Sequence, residues 1–338
     1  MTAPTPTGRF RRLLRIAAKI FAGVLWFGLT AWAMGAIHYS NLPWAWLRNF
    51  GAIAFALGTI AVFVWARPTW RARLIFLAAW FVILAWFLLI PPSNQRNWRP
   101  DVVVLPYAEI VGDRLSVHNI RNCDYRTETD YTVRHYDRVF DLFKLESVDL
   151  FLVHWGSPAI AHTMLSFGFA DGNHLCFSIE TRMEQGESYS AIAGFFRQYE
   201  ITYVMADERD LVRLRTNYRV GEEVYIYRLH SDLAKSRKVL LDYLARINRL
   251  KEKPEWYNAA TDNCTTSIHQ HTFPYFKKIP WDWRILVNGY LDELLYETGS
   301  LDTSVPFAEL QTRSHINARA KAADTDPEFA TRIRAGSF

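Results

Sequence analysis

The sequence is poor in cysteine, with three among its 338 residues: Cys123, Cys176 and Cys264. This number is too small for a disulfide scaffold. A Cys123–Cys176 disulfide stays open if the domain lies in an oxidising compartment, and Cys264 is then the free thiol. The sequence also lacks a glycine-rich phosphate-binding loop and a nucleophile-elbow serine motif. These absences argue against a disulfide-rich secreted domain, a nucleotide-binding fold and a serine hydrolase, and we expect no cofactor.

The excess of positive over negative charge is also small: 39 lysines and arginines against 34 acidic residues give a net charge of only +5. Much of this excess comes from arginines that flank apolar runs, which is typical of a membrane protein rather than of a nucleic-acid-binding surface. We therefore expect the membrane as a partner and no nucleic acid.

Long apolar runs are missing after Pro91, whereas three lie before it, at about 20–37, 50–65 and 74–90. Each approaches the roughly 20 residues that cross a bilayer. Basic residues precede the first run and join the second to the third, while the first loop holds only Arg48. The positive-inside rule then predicts a cytoplasmic N-terminus. Three crossings would deliver the rest of the chain to the outer side of the membrane, so residues 1–90 are predicted to be its anchor.

The remaining residues are predicted to comprise a linker at 91–100, a domain at 101–305 and a polar, loosely ordered tail at 306–338. Helical spacing begins after Ser231 and Asp232, and short helices are predicted from Cys264 and from Trp283 to Glu297. Strands followed by helices indicate an α+β domain with a mostly antiparallel sheet. The predicted strands are 102–105, 108–111, 115–120, 148–153, 161–169, 173–181, 201–205 and 224–229.

The sequence predicts the register of one hairpin. If Ala170-Asp171-Gly172 forms a three-residue loop with Gly172 left-handed, Phe169 pairs with Asn173. His162 then lies across from Glu180 and diagonal to Ser178. A carboxylate opposite an imidazole fixes its tautomer and stabilises the imidazolium. A solvated polar face with an incidental ion pair is the alternative.

Cys264 is predicted to lie in the first turn of a helix, with Asp262 or Asn263 as the N-cap. Free backbone amides and the helix dipole there stabilise a thiolate and can receive an oxyanion. Cys264 and His162 are therefore the predicted nucleophile and base, although an inert buried thiol is the alternative. A metal site is not expected, because His269 and His271 lie two residues apart and do not share a helix face with each other.

Several motifs together resemble one known family, the periplasmic domain of the lipoprotein N-acyltransferase Lnb. They are the hairpin around His162, Ser178-Ile179-Glu180-Thr181-Arg182, Asn263-Cys264-Thr265-Thr266, Asn119-Ile120-Arg121-Asn122, Asp282-Trp283-Arg284 and Asn288-Gly289-Tyr290. The resemblance spans about residues 98–299. The family carries its membrane helices after this domain, whereas here they precede it.

The resemblance implies a circularly permuted papain-like (NlpC/P60-like) fold in a bacterial inner-membrane protein with a periplasmic domain. It implies acyl transfer from a phospholipid to a lipoprotein or another envelope amine, through a thioester on Cys264. His162 would be the base, oriented by Ser178 or Glu180, and Tyr257, Asn263 and Arg182 are expected to contact the substrate or the oxyanion. A cysteine peptidase or amidase acting on cell-wall peptide, and a non-catalytic envelope scaffold, remain the alternatives.

Overall fold

The computed structural model describes residues 6–276 and 282–338. The chain divides into two compact units. The first unit contains Met1–Pro92 together with Phe196–Gln198, and the second contains Ser93–Phe195 and Tyr199–Phe338. We describe them separately as the helical unit and the α+β unit.

The helical unit contains the three predicted apolar helices, α1 (Pro6–His38), α2 (Ala45–Trp65) and α3 (Thr69–Leu89). Segments of 29, 21 and 21 residues within them are long and apolar enough to cross a membrane. Trp26 of α1 packs edge-on against Phe76 of α3, with 5.2 Å between the ring centres. Most other large apolar side chains of these helices are exposed, as expected for surfaces that lipid covers. The three-helix prediction is confirmed.

The α+β unit is built on an open, mixed sheet. Its strands, together with those of a separate ribbon, are β1 (Tyr107–Val111), β2 (Arg114–Arg121), β3 (Asp124–Tyr125), β4 (Tyr131–Thr132), β5 (His135–Asp141), β6 (Leu145–Trp155), β7 (Ser157–Phe169), β8 (His174–Arg182), β9 (Glu200–Ala206) and β10 (Glu222–Arg228). The sheet has the order β1-β2-β9-β8-β7-β6-β10, with β5 pairing to β2, and the ribbon is β3–β4. All the named pairs are antiparallel except β2–β9, so the predicted α+β class with a mostly antiparallel sheet is confirmed.

The β7–β8 hairpin has the predicted register. Met164 pairs with Ser178 and Ser166 with Cys176. Gly172 has φ +79°, the left-handed conformation that the three-residue loop requires. The pairing ends at Met164–Ser178, so β7 continues toward its N-terminal end without a ladder to β8.

One face of the sheet is covered by α5 (Leu233–Glu252) and α6 (Cys264–Thr272). Asp232, one of the two residues after which helical spacing was predicted to begin, caps α5 by accepting hydrogen bonds from the backbone amides of Ala234 and Lys235. The fully buried Tyr243 of α5 packs edge-on against Phe177 of β8, with 5.3 Å between the ring centres. This is the face that carries Thr163, Leu165 and Phe167 of β7.

The opposite face is covered by residues that the sequence analysis assigned to a loosely ordered tail. That prediction is wrong. After α7 (Leu291–Glu297), the chain forms α8 (Phe307–Ser314), α9 (Asn317–Ala322) and α10 (Phe329–Arg334). Ile316, Ala320, Ala323, Phe329 and Ile333 are buried in the same cluster as Met164 and Cys176. Their apolar side chains are spaced among polar ones, so the segment looks polar by composition although one side of it belongs to the core.

The predicted strand at 102–105 is also wrong. The carbonyl oxygens of Val102 and Val103 accept hydrogen bonds from the Arg182 guanidinium instead of entering a ladder. The sequence analysis missed β5, which pairs with β2 across a register shift between Val117 and Ile120. Two shorter elements follow β9, namely α4 (Glu208–Arg213) and a π-helical turn at Leu214–Tyr218.

Candidate functional site at helix α6 and the β7–β8 hairpin

Cys264 is the first residue of α6, and the helix begins there because Asn263 caps it. The Asn263 side chain accepts a hydrogen bond from the Thr266 amide at 2.9 Å, and the Thr266 hydroxyl accepts one from the Asn263 amide at 3.0 Å. This reciprocal capping box leaves Cys264 in the first turn, at the positive end of the helix dipole. The predicted placement of the thiol is confirmed.

The other two cysteines occupy different environments. All three are free in this structure, so a Cys123–Cys176 disulfide is not formed. Cys264 is partly exposed, whereas Cys123 and Cys176 are buried in separate apolar clusters. Burial, reinforced by the Asp210 carboxylate, raises the pKa of Cys123 to about 12. Burial also raises the pKa of Cys176. Thiolate chemistry is therefore disfavoured at both, which leaves Cys264 as the accessible thiol.

His162 is held by a chain of hydrogen bonds on the other face of the hairpin. Its Nε2 lies 2.7 Å from the Ser178 hydroxyl oxygen, and the Ser178 hydroxyl donates to Glu180 Oε1, also at 2.7 Å. Ser178 has one proton, which goes to Glu180, so the ring nitrogen must be the donor to Ser178. His162 is therefore the Nε2–H tautomer, and its Nδ1 keeps the lone pair that can accept a proton.

Arg215, on the π-helical turn, sets the charge of this cluster. It donates to Glu180 Oε1 at 3.1 Å and to Glu222 Oε2 at 3.2 Å. Burial would raise the pKa of Glu180, but Arg215 and then His162 outweigh it and hold that pKa below its ordinary value. Burial and the Arg215 charge lower the pKa of His162 to about 3, against the opposing effect of Glu180. The ring is therefore neutral at neutral pH.

The backbone segments that carry His162 and Cys264 are joined by the residues next to them. The hydroxyl oxygens of Thr163 and Thr265 lie 3.3 Å apart. Asn288 donates to the Thr265 hydroxyl at 2.5 Å and to the Ala161 carbonyl at 2.6 Å, and its own carbonyl accepts from the Ala161 amide at 2.9 Å. These contacts fix the start of α6 against β7 where β7 is no longer paired with β8.

The two predicted catalytic side chains do not touch in this conformation. Among the described residues, Cys264 Sγ is hydrogen-bonded only to the Thr265 hydroxyl, at 3.9 Å, and not to His162. Alternation along β7 directs Thr163 toward α6 and His162 toward the opposite face. The structure thus brings His162, Ser178 and Glu180 together and anchors Cys264 beside their strand, without forming a Cys264–His162 hydrogen bond.

The three weaker predictions differ in outcome. Tyr257 is buried, and its pKa is raised by burial, by Tyr189 and by the negative charge of a Cys264 thiolate, which places Tyr257 within electrostatic reach of that sulfur. Asn263 acts as the helix cap, and its side-chain amide donates to the Ala259 carbonyl. The Arg182 guanidinium donates to Val102, Val103 and Asn94 and stacks on Trp98, which indicates a structural role.

Sequence reasoning missed three side chains of this site, namely Arg215, Thr163 and Thr265. Arg215 lies 35 residues from Glu180 along the chain, and no local pattern connects them. The motif Asn263-Cys264-Thr265-Thr266 contained both the capping threonine and the threonine that reaches β7. The capping role of Thr266 could have been inferred from its spacing to Asn263, whereas the contact of Thr265 with Thr163, 102 residues away, could not.

Comparison with known proteins supports one family. The family described as Lnb N-terminal periplasmic domain matches residues 131–289, a range that includes His162, Ser178, Glu180 and Cys264. No curated protein and no solved structure matches the chain significantly. The matched range covers the sheet from β4 to β10 and helices α5 and α6. Residues 131–289 of this chain therefore belong to the Lnb N-terminal periplasmic domain family.

Proposed function

We propose that this protein is a membrane-anchored thiol acyltransferase that forms a thioester on Cys264. The observation that carries the proposal is the setting of Cys264: a partly exposed thiol at a capped helix start, tied through Thr265 and Thr163 to the strand that holds a neutral, carboxylate-linked histidine. The Lnb-type domain supports acyl transfer as the reaction class. A phospholipid is the proposed donor, and a lipoprotein or another envelope amine is the proposed acceptor.

In the proposed reaction, His162 Nδ1 accepts the Cys264 proton as the sulfur attacks the ester carbonyl of the donor. The tetrahedral intermediate then expels the lysophospholipid alkoxide, which takes the proton from the imidazolium, and the acyl group remains on sulfur. The acceptor amine attacks the thioester, His162 removes a proton from the attacking nitrogen, and the intermediate expels the Cys264 thiolate to leave the acyl group as an amide. The imidazolium then returns its proton to the sulfur. Glu180, through Ser178, stabilises the imidazolium in both halves.

This reaction requires Cys264 and His162 to approach more closely than in the structure described. Hydrogen bonds between catalytic groups are often long or poorly aligned without substrate and tighten when it binds. The β7–β8 ladder ends at Met164–Ser178, but β6 still pairs with this part of β7 through Val153 and His162. We propose that substrate binding releases the end of β7 from β6 and turns His162 toward the α6 face.

We also propose the circularly permuted papain-like arrangement for this domain. The order along the chain supports it: the histidine comes first on β7, its polar partners follow on β8, and the cysteine comes last at a helix start. The basic residues around the apolar helices support an inner-membrane orientation with a cytoplasmic N-terminus and a periplasmic domain. Anchoring would raise the effective concentration of the site at the bilayer surface.

The proposal is tested by intact-mass measurement of the purified full-length protein after incubation with phospholipid vesicles. We expect a mass gain of one acyl chain that hydroxylamine removes, and loss of this gain in Cys264→Ser and His162→Ala. Cys123→Ser and His174→Ala are the matched controls, because Cys123 is a buried thiol and His174 lies on the same hairpin, bonded to the Gly172 carbonyl.

Three outcomes would count against the proposal. An acyl adduct that persists in Cys264→Ser would place the chemistry elsewhere. An adduct trapped from a cell-wall peptide substrate, and none from lipid, would favour a cysteine peptidase or amidase. No adduct from either donor, with folded protein, would favour a non-catalytic scaffold.

A further inference from the structure

We infer that Arg215 is a positioning residue that keeps His162 in the tautomer needed for base catalysis. The inference rests on the proposed function, which assigns His162 as the base. Arg215 does not reach His162 itself. It acts through Glu180 and Ser178, which form a continuous chain of hydrogen bonds to the ring.

The fold places Arg215 for this purpose by an uncommon backbone feature. Arg215 lies in the π-helical turn Leu214–Tyr218, where the helix that begins as α4 widens before β10. Such turns are rare in proteins and occur frequently at functional sites. From this turn the Arg215 guanidinium, which is only 6% exposed, bridges carboxylates on two strands, Glu180 on β8 and Glu222 on β10.

The direction of each hydrogen bond follows from this bridge. Arg215 can only donate, so Glu180 Oε1 accepts from it and remains ionised. Glu180 also accepts the Ser178 proton, which leaves the Ser178 oxygen as the acceptor for His162 Nε2–H. Each residue of this chain thereby sets the hydrogen-bond direction of the next one, and His162 Nδ1 is left unprotonated. Without Arg215, the Glu180 carboxylate, which is 25% exposed, would lose the donor that holds it toward Ser178. The Ser178 proton could then turn toward His162, and the ring could adopt either tautomer.

The electrostatic surroundings of His162 give a second consequence. The charged groups that act on the ring are Glu180 from β8, Arg215 from the π-helical turn and Arg219 just after it. Arg215 disfavours the imidazolium, so its removal would make His162 easier to protonate. In the plot of acylation rate against pH, the fall in rate on the acidic side should then occur at a higher pH.

The test compares Arg215→Met and Arg215→Lys with wild type in the full-length protein in detergent. Arg213→Met is the matched control, because Arg213 lies two residues away, is similarly buried and pairs with Asp324 rather than with Glu180. Two quantities are measured: the pH dependence of single-turnover acylation from phospholipid, and the ¹⁵N resonances of the His162 ring, which distinguish Nε2–H from Nδ1–H.

We expect Arg215→Met to slow acylation roughly 10- to 100-fold, a part of the 100- to 10,000-fold that general acid–base catalysis typically contributes. The acidic limb should move to higher pH and the ring should become a mixture of tautomers. Arg215→Lys should recover part of the rate, because an ammonium still pairs with Glu180, and Arg213→Met should keep the wild-type profile and tautomer.

The inference is overturned if Arg215→Met keeps the wild-type pH profile and a pure Nε2–H ring, whatever its rate. If Arg215→Met does not fold, the same two measurements are made on Arg215→Lys. A wild-type pH profile of acylation together with a pure Nε2–H ring in that variant would then overturn the inference. If wild type forms no acyl-enzyme, the proposed function fails, and the ring resonances alone then decide whether Arg215 controls the tautomer.

Discussion

Replacing Arg334 by methionine tests how the second face of the sheet is held. Arg334, in α10, donates to Glu208 at 2.6 and 2.7 Å and to Asp149 at 2.9 Å. Both carboxylates are completely buried. When Arg334 is removed, Asp149 still pairs with a second arginine, Arg228, whose Nε lies 2.5 Å from the carboxylate. In the same variant, the Ser166 hydroxyl is the one remaining side chain among the described residues that donates a hydrogen bond to Glu208. Arg334→Met therefore leaves Glu208 as a buried charge without an ionic partner.

Removal of one partner from a buried ion pair costs about 3–5 kcal/mol of the free energy of unfolding. For a unit of this size that corresponds to a fall in Tm of roughly 6–20 °C. The matched control is Arg332→Met on the same helix, because Arg332 is exposed and pairs with Asp326. An exposed pair of this kind contributes about 0–1 kcal/mol. Urea-dependent pulse proteolysis of the full-length protein in detergent measures the unfolding of the α+β unit.

The pH dependence provides an independent check. Burial would raise the pKa of Glu208, but Arg334 lowers it to about 2. In wild type, Glu208 therefore adds stability above its unfolded pKa of about 4.5, and this stability is lost as the pH falls through the folded pKa of about 2. Without Arg334 the Glu208 pKa rises, so the folded variant binds the proton more readily, and its deficit should shrink in acid. Glu208→Gln added to Arg334→Met should recover part of the loss. Equal effects of Arg334→Met and Arg332→Met, or a deficit independent of pH, would refute this account of α10.

Two further predictions concern the site. A Cβ at Gly289 would lie 2.0 Å from the Pro158 carbonyl oxygen, so Gly289→Ala should destabilise the unit by about 1–3 kcal/mol, as overpacking does, and a wild-type urea midpoint would contradict it. Because the pKa of His162 is lowered to about 3, the unfolded chain takes up this proton first as the pH falls. The His162 contribution should therefore decrease by about 2 kcal/mol between pH 7 and pH 5. His162→Gln should lack this loss, and parallel pH–stability curves for the two proteins would show that the ring is not held neutral.

Local sequence patterns predicted the parts of the fold that local interactions determine. The three apolar helices follow from hydropathy, and the β7–β8 register follows from Gly172 and the alternation on both strands. The capped start of α6 follows from Asn263 and the residues after it. In each case the deciding contacts lie within a few residues, where periodicity and turn chemistry are informative.

Contacts between distant segments could not be predicted in the same way. Arg215 meets Glu180, and Arg334 meets Glu208 across 126 residues. Neither pairing leaves a periodic trace in the sequence. The buried side of α9 and α10 was missed because short helices with few apolar residues resemble a solvated tail. Similarly, the run at 102–105 has strand propensity, but its carbonyl groups are used by Arg182. Propensity was overridden by tertiary contacts there.

The position of α10 has a consequence for biogenesis. Both strands of the central hairpin are synthesised more than 140 residues before Phe329 and Ile333, which complete the cluster beneath them. A nascent chain that has emerged only as far as α7 would expose Met164 and its apolar neighbours to water and to proteases. Completion of this core therefore waits until α10 has been made, and a chain that stops before α10 would leave this apolar surface open to proteolytic attack.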